Sequence, residues 1–308
     1  MPYPQYIEEL LPRDDRIDSD RSFTVIRGLA RWVRLVLLPL GLRNCPTPCW
    51  LLPAVPLALV RCCFDRELHR LAGPAIIALG LPDTHMARWR FVWSHCYQHE
   101  ADLLLALQAA RLTREWACHY VAAPESLPPD GAILITLHHA HLRLGNLRLS
   151  ALVKPLGIIA GLRLDHQDDM PESVFTGPMT ALYRRTFGPH VIYPEPASLA
   201  ARQGLRLLDQ GGYLVIAVDG LGVGDAAVVF GKALRVPRGP LWLARHSGKP
   251  IVPFIVMPER RGWRIWCGAP IAPTPEALAA AIEEAIRRAP TSWRSDAWTG
   301  WCQLSPHE

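Results

Sequence analysis

From residue 131 onward the chain alternates between continuous apolar runs and amphipathic stretches. Gly131 is followed by Ala-Ile-Leu-Ile-Thr-Leu, a run that reads as a strand buried on both faces. Residues 144–153 then read as a helix, 156–164 as a second strand, 172–187 as a helix and 191–193 as a short strand. Residues 198–209 read as a helix closed by Gly211-Gly212, and 213–218 as a third buried strand. A helix over 239–247 has Pro240 at its start and Gly248 just past its end. Strands over 250–257 and 263–267 and an amphipathic helix over 275–288 complete the series. Strands alternating with helices predict an α/β fold, a mostly parallel central sheet flanked by helices on both faces.

The first third is patterned differently. Residues 83–121 show helical spacing of Trp89, Phe91, Val92, Cys96, Leu103, Leu104, Leu107 and Trp116, which predicts one or two long helices. Before them, residues 26–42 set Arg27, Arg31 and Arg34 among Leu, Val and Trp, with Arg43 just beyond. Residues 49–60 are an apolar run broken by Pro53 and Pro56. Both runs fall short of the ~18–20 apolar residues of a spanning helix. Arginine among leucine and tryptophan suits a helix lying in the headgroup layer, or a core-facing helix with a basic outer face. The organisation expected is an apolar, basic leader over 1–65, an α/β domain over 66–302 and a short tail over 303–308.

Composition narrows the class. The chain has 308 residues, enough for a full core, and half are hydrophobic while only 20% are charged, an apolar balance for a soluble protein. The net charge of +5 fits an anionic membrane, an acidic carrier protein or phosphate as partner. It is too scattered to argue for nucleic acid, and no Lys/Arg-rich run or nucleic-acid motif accompanies it. The eight cysteines read as free thiols of a reducing compartment or, for Cys45, Cys49, Cys62 and Cys63, as a poorly spaced zinc set. The first twenty residues are acidic and polar, unlike a signal peptide, so the cytosol is the default expectation.

The chemistry concentrates where the first buried strand ends. His138, His139 and His141 occupy three of four positions at its C-terminal edge. Open α/β sheets place their chemistry at such edges, and histidine titrates near working pH. Neighbours on a strand point to opposite faces, so at most two of the three would share a metal ion. His95 and His99 lie one helical turn apart beside Glu100, but no His-Glu-x-x-His surrounds them, and a helix-surface placement is expected. The third strand ends in Asp219, followed by Gly220-x-Gly222-x-Gly224. No lysine-bearing helix follows those glycines, so a loop is expected there rather than a phosphate cradle. Arg163, Arg184, Arg185 and Lys232 are candidates for a phosphate contact, or solvated charge. Trp293, Trp298 and Trp301 would anchor at a bilayer interface or cap the core.

In order and spacing, several blocks resemble the bacterial lipid A late acyltransferases, within the lysophospholipid acyltransferase superfamily. They are the histidine strand with Leu144-Gly145, Asp219 with its glycines, Val228-Val-Phe-Gly-Lys232, Arg238-Gly-Pro-Leu-Trp, Lys249-Pro-Ile-Val-Pro253 and the tryptophan-rich end. The resemblance covers about residues 66–302. It implies a single glycerolipid-acyltransferase-like domain at the cytoplasmic face of the bacterial inner membrane. It also implies an acyl thioester donor on acyl carrier protein or acyl-CoA, a membrane lipid acceptor, and no cofactor. The family's histidine takes a proton from an acceptor hydroxyl, and a Glu or Asp five positions on orients it. His138 falls on the histidine position and Arg143 on the acidic one.

A guanidinium cannot accept the second imidazole hydrogen. Three replacements stay open. A distant carboxylate, Asp165, Asp168 or Asp219, supplies the charge. His141 pairs with Asn146, which has the same five-residue step. Or the chemistry has drifted and Arg143 holds an anionic group of the substrate. His139, Asn146, Arg163, Asp165, Gly220 and Lys232 are the candidate substrate contacts. The pair His138-His139 is also similar to the His-His-x-x-x-Asp-Gly motif of peptide-synthetase condensation domains, but Arg143-Leu144 stands where Asp-Gly would. The second class of function is a non-catalytic protein of this fold that binds acyl chains or a partner at a membrane, with a histidine cluster that has no catalytic role.

Overall fold

Among the described residues, the helices α1 (Ala54–Phe64), α2 (Arg66–Ala78) and α3 (His85–Leu107) lead toward the sheet. In a computed structural model of the chain, residues 49, 51–160, 176–219 and 224–303 are described. The Asp65 carboxylate accepts the Leu68 N–H at the start of α2, and the Thr84 hydroxyl accepts that of Ala87 at the start of α3. Each satisfies a donor that helix geometry leaves unpaired. The sequence then runs α4 (Arg114–Tyr120), β1 (Val121–Ala122), β2 (Ala132–Thr136), α5 (Leu142–Leu152), β3 (Leu156–Ile159), α6 (Thr176–Phe187) and β4 (Val191–Ile192). After these come α7 (Ala197–Asp209), β5 (Tyr213–Ala217), β6 (Gly224–Val229), β7 (Lys232–Pro237), α8 (Arg238–Ser247), β8 (Ile251–Glu259) and β9 (Gly262–Cys267). Two helices, α9 (Pro275–Arg288) and α10 (Ser295–Gln303), end the series.

Seven strands form one sheet in the order β1-β9-β8-β2-β5-β3-β4. It is parallel from β8 through β4, and only the β8–β9 pair is antiparallel. The protein is thus α/β with a mostly parallel central sheet flanked by helices. Ile133 and Ile135 of β2 pack into one core, with residues of α2, α7, α8 and α9. Ala132 and Leu134 pack into the other, with residues of α4, α5 and α6. This is the two-residue period of a strand covered on both faces, and it explains why β2 reads as an unbroken apolar run. Helix α3 joins the two cores. Its Phe91, Val92 and Cys96 belong to the first and its Ala101, Leu104 and Leu105 to the second.

Two glycines set close approaches that position β2 and α5. Gly131 has φ +88, and an added Cβ would strike the Gly212 carbonyl ahead of the neighbouring β5. Gly145 lets α5 lie against β8, where a Cβ would strike the Val256 side chain.

The helices α5 to α9 and the strands β2, β5, β8 and β9 fall within two residues of the sequence expectation wherever they are described, whereas α10 is a helix the sequence reading does not expect. The strand expected over 156–164 ends at Ile159 among the described residues, and residues 161–175 lie outside them. Residues 220–223 of the loop expected over 220–224 lie outside the described residues, and the stretch from Gly224 to Pro237 is regular. It forms an antiparallel hairpin, β6 with β7, turning at Phe230-Gly231 with φ +49 and +72. A two-residue turn of this kind needs positive φ at both positions, a conformation phenylalanine rarely adopts. The Phe230 ring lies over Trp298 at 6.4 Å and edge-on to Trp301 at 6.1 Å, and the Arg287 guanidinium covers it at 4.9 Å. That packing offsets the backbone strain.

Most of the expected leader, residues 1–48, lies outside the described residues. The part that is described includes α1, whose Ala54, Leu57, Ala58 and Cys62 are buried in the two cores. Leu52, Val55, Leu59, Val60 and Phe64 remain exposed, as do Ile77, Leu81, Met86 and Trp89 nearby in sequence. Among the described residues no helix is long and apolar enough to cross a membrane.

Candidate active site

Parallel pairing of β2 with β5 fixes what meets at the sheet edge. Each β2 residue from Ala132 to Thr136 sits beside the β5 residue 81 positions later. The same offset joins His138 to Asp219, each two residues past its strand. The two side chains meet at the carboxyl edge of the sheet. Asp219 Oδ1 lies 2.8 Å from His138 Nδ1, and the His138 amide lies 3.0 and 2.9 Å from the two carboxylate oxygens. Half of the His138 side chain is exposed, whereas 2% of the Asp219 side chain is. Burial alone would raise the Asp219 carboxyl above its ordinary range. The hydrogen bonds from His138 and Trp293 outweigh it, and the group stays ionised below that range. An ionised carboxylate only accepts, so Nδ1 carries the hydrogen and Nε2 is the basic nitrogen. This is the arrangement of a general base with its orienting acid. Of the carboxylates considered as replacements, Asp219 is the one found beside the imidazole. Asp165 and Asp168 lie outside the described residues, as do Arg163 and Gly220.

Arg143 does not point its charge at His138 unopposed. Its guanidinium is ion-paired with Asp102 of α3. The same carboxylate accepts the backbone N–H of His141 at 2.9 Å. His141 precedes α5 and has φ +67, a left-handed conformation that is strained for a side chain with a Cβ. Asp102 thus fixes the turn that carries the chain from His138 into α5. Burial would raise its carboxyl, but Arg143 first and His141 second hold it low.

His139 and His141 are buried, not presented at the edge. The His139 Nε2 accepts the Val256 N–H of β8 at 3.0 Å, and its Nδ1 donates to the Leu137 carbonyl at 2.8 Å. Burial pushes its pKa down to about 4. It cross-links the edge of β2 to β8 and has no nitrogen left for a substrate. His141 Nε2 donates to Gln98 Oε1 at 2.7 Å, and burial again pushes the ring down to about 4. The expected pairing of His141 with Asn146 is not made: both polar atoms of the Asn146 side chain are buried without a hydrogen-bond partner.

Other candidates are placed elsewhere. Lys232 Nζ donates to the carbonyls of Trp301 and Cys302 at 3.1 and 2.9 Å and lies over the Trp301 ring, at the end of α10. Arg185 donates to the carbonyls of Ala109 and Leu112. His95 and His99 are not on the helix surface. Their ring centroids are 4.1 Å apart, His95 is fully buried, and His99 Nε2 donates to the Trp293 carbonyl at 3.3 Å. Trp293, Trp298 and Trp301 are 3%, 0% and 4% exposed, so they cap the core and are not placed to anchor in a bilayer.

Trp293 is the site residue that sequence reading missed. Its indole Nε1 donates to Asp219 Oδ2 at 2.8 Å. Its backbone bridges His139, Ala140 N–H donates to the Ser292 carbonyl at 2.7 Å, and Arg294 N–H donates to the His138 carbonyl at 3.3 Å. The segment 292–294 therefore runs antiparallel beside the histidines as an extra ribbon. No local pattern marks it, because the pairing joins positions about 150 residues apart along the chain.

Among the described residues no group of three or more His, Cys, Asp or Glu side chains is gathered as a metal site would need. A shallow groove of about 590 Å³ is lined by Arg114, Glu115, Cys118, His119, Ser150, Ala151 and Lys154, and none of the candidate residues lines it. No protein-family model matches the chain, and no curated protein matches it.

Proposed function

We propose that the protein is an acyltransferase. It moves an acyl chain from a thioester on acyl carrier protein or coenzyme A to a hydroxyl or amine of a lipid, glycolipid or metabolite. The observation that carries this reading is the His138–Asp219 pair at the carboxyl edge of β2 and β5. It supplies the base and the orienting acid that the resemblance to the lipid A late acyltransferases requires, with the acid drawn from a different strand.

In this mechanism His138 Nε2 takes the proton from the acceptor hydroxyl as its oxygen attacks the thioester carbonyl. Asp219 stabilises the imidazolium through the Nδ1–H bond. The C–S bond breaks, His138 returns the proton to the departing sulfur, and ester and thiol result. A lone arginine beside the imidazolium would disfavour it. The Arg143–Asp102 pairing supports the mechanism because it neutralises that charge. The glycerolipid-acyltransferase-like character of the domain, a membrane acceptor and a site of action at the cytoplasmic face of the inner membrane belong to the same proposal. They are supported by the exposed apolar residues of α1 to α3 and the arginines Arg66, Arg70 and Arg90 exposed among them.

The test is intact-mass detection of acyl loss from acyl carrier protein loaded with medium or long chains, with and without a bacterial lipid extract. Loss that requires both the extract and His138 supports the reading, and the acylated species identifies the acceptor. Turnover that persists in His138→Ala would overturn it.

A further inference from the structure

The base and its acid have a third member with a distinct task. A carboxylate swings readily about its last torsion. The His138 amide, nearly equidistant from both oxygens of Asp219, does not choose which one faces the ring. The Trp293 indole does choose: it occupies Oδ2 at 2.8 Å and leaves Oδ1 for Nδ1 of His138. The indole is itself held, 3% exposed and edge-on to Trp298 with ring centroids 4.8 Å apart. Its backbone is tied to the histidine segment on either side. One short segment thus fixes both the backbone that carries the base and the side chain that orients it.

We infer that Trp293 is a positioning residue. Its indole N–H fixes the rotation of the Asp219 carboxylate, and so holds neutral His138 as the Nδ1–H tautomer with Nε2 as the proton-accepting nitrogen. The use made of that base rests on the acyl-transfer reading; the tautomer does not. A tryptophan that merely fills space would serve as well without its N–H.

The experiment is nitrogen NMR of the full-length chain with labelled histidine, on wild type, Trp293→Phe and Asp219→Asn. Wild type at a pH where His138 is neutral should show hydrogen on Nδ1. Asp219→Asn should shift the population toward the Nε2–H form, and Trp293→Phe, which keeps an aromatic ring at the core position, should shift it the same way. Once a turnover assay exists, Trp293→Phe should lower kcat about tenfold with KM nearly unchanged, the loss of one charge-assisted hydrogen bond. If Asp219→Asn moves the tautomer and Trp293→Phe does not, Trp293 is a core cap only and the inference fails while the base–acid pair stands. If neither moves it, the pair itself fails and the inference falls with it. A second measurement needs no variant: the Trp293 indole proton in the wild type should shift with the same midpoint as the His138 ring. An indole signal indifferent to that titration overturns the inference even if Trp293→Phe does not fold.

Discussion

Asp102 on α3 answers the charge of Arg143 at the start of α5, and the same carboxylate holds the His141 amide in its left-handed turn. One acidic side chain therefore does two tasks: it closes an ion pair and it shapes the approach to His138. The pair is partly buried, with a third of the Arg143 side chain and 15% of the Asp102 side chain exposed. Removing one partner strands the other. Asp102→Ala should lower stability by about 3 kcal/mol, at the lower end for buried pairs. Arg143→Glu should be at least as damaging, because it sets two carboxylates against each other. Placing an acid at position 143 should therefore cost stability and bring no gain in turnover. Thermal unfolding of the two variants checks this, and a stable, more active Arg143→Glu protein would count against the assigned role of Asp102.

His138→Ala should abolish acyl transfer while the chain still folds, with a lowered melting temperature because the buried Asp219 carboxylate loses its Nδ1–H donor. Asp219→Asn should lower kcat on the order of 10²- to 10⁴-fold. Steady-state rates on a carrier-bound thioester, alongside melting curves, separate these effects. A rate unaffected by Asp219→Asn would remove the orienting role from that carboxylate.

His139 should behave oppositely to its neighbour. Its two ring nitrogens pair a β8 amide and a β2-edge carbonyl in the interior. His139→Ala leaves both groups buried and unsatisfied, a loss of about 3 kcal/mol. The variant should melt early, and the surviving folded fraction should keep a normal kcat.

Acid should unfold the protein sooner than its carboxylates alone would predict. Burial holds His99 at about 3 and His139 and His141 at about 4. In the unfolded chain each takes a proton near pH 6.5. Burial holds His95 well below its ordinary value too, so as pH falls from 6.5 toward 4 unfolded molecules bind up to four protons that folded ones refuse, and stability present above pH 6.5 is lost through that window. Each histidine contributes a slope of about 1.4 kcal/mol per pH unit at its steepest. Melting temperatures measured from pH 8 to pH 4 should fall steadily below 6.5, and a flat profile down to pH 5 would contradict the burial of these rings.

Binding to anionic vesicles should depend on the outer side of the first helices. Leu59 and Phe64 are 50% and 43% exposed. Replacing both with serine should weaken vesicle binding about tenfold or more, from the apolar area withdrawn from lipid, with no change in melting temperature. Equal binding by the double variant would place any membrane contact elsewhere.

The sheet was legible because burial on both faces leaves long apolar runs, and β2, β5 and β8 follow directly from them. The hairpin β6–β7 was not, since its turn rests on Phe230-Gly231, and the support for a left-handed phenylalanine comes from Trp298, Trp301 and Arg287, distant in sequence. His138 was legible from its place after a strand, and Asp219 as one of three acids. Choosing among them required the register of two strands that are not consecutive in the chain. His139 and His141 looked like site residues because three adjacent histidines look alike in sequence. Only the packing of β8 and α3 against them shows that two face inward. Trp293 stands out in the sequence only as part of the tryptophan-rich end, as an anchor or core cap, and nothing local points to its partner, the side chain of Asp219.

The distances along the chain between these partners also set an order in time. Asp219 lies 81 residues beyond His138, and Trp293 a further 74 beyond Asp219. During synthesis the histidine is exposed long before its carboxylate, and the carboxylate long before the indole that steadies it. Contacts closing loops of that length form late. A nascent or truncated chain ending before residue 293 thus carries an imidazole without its complete support, and the assembled base becomes a signature of a finished molecule.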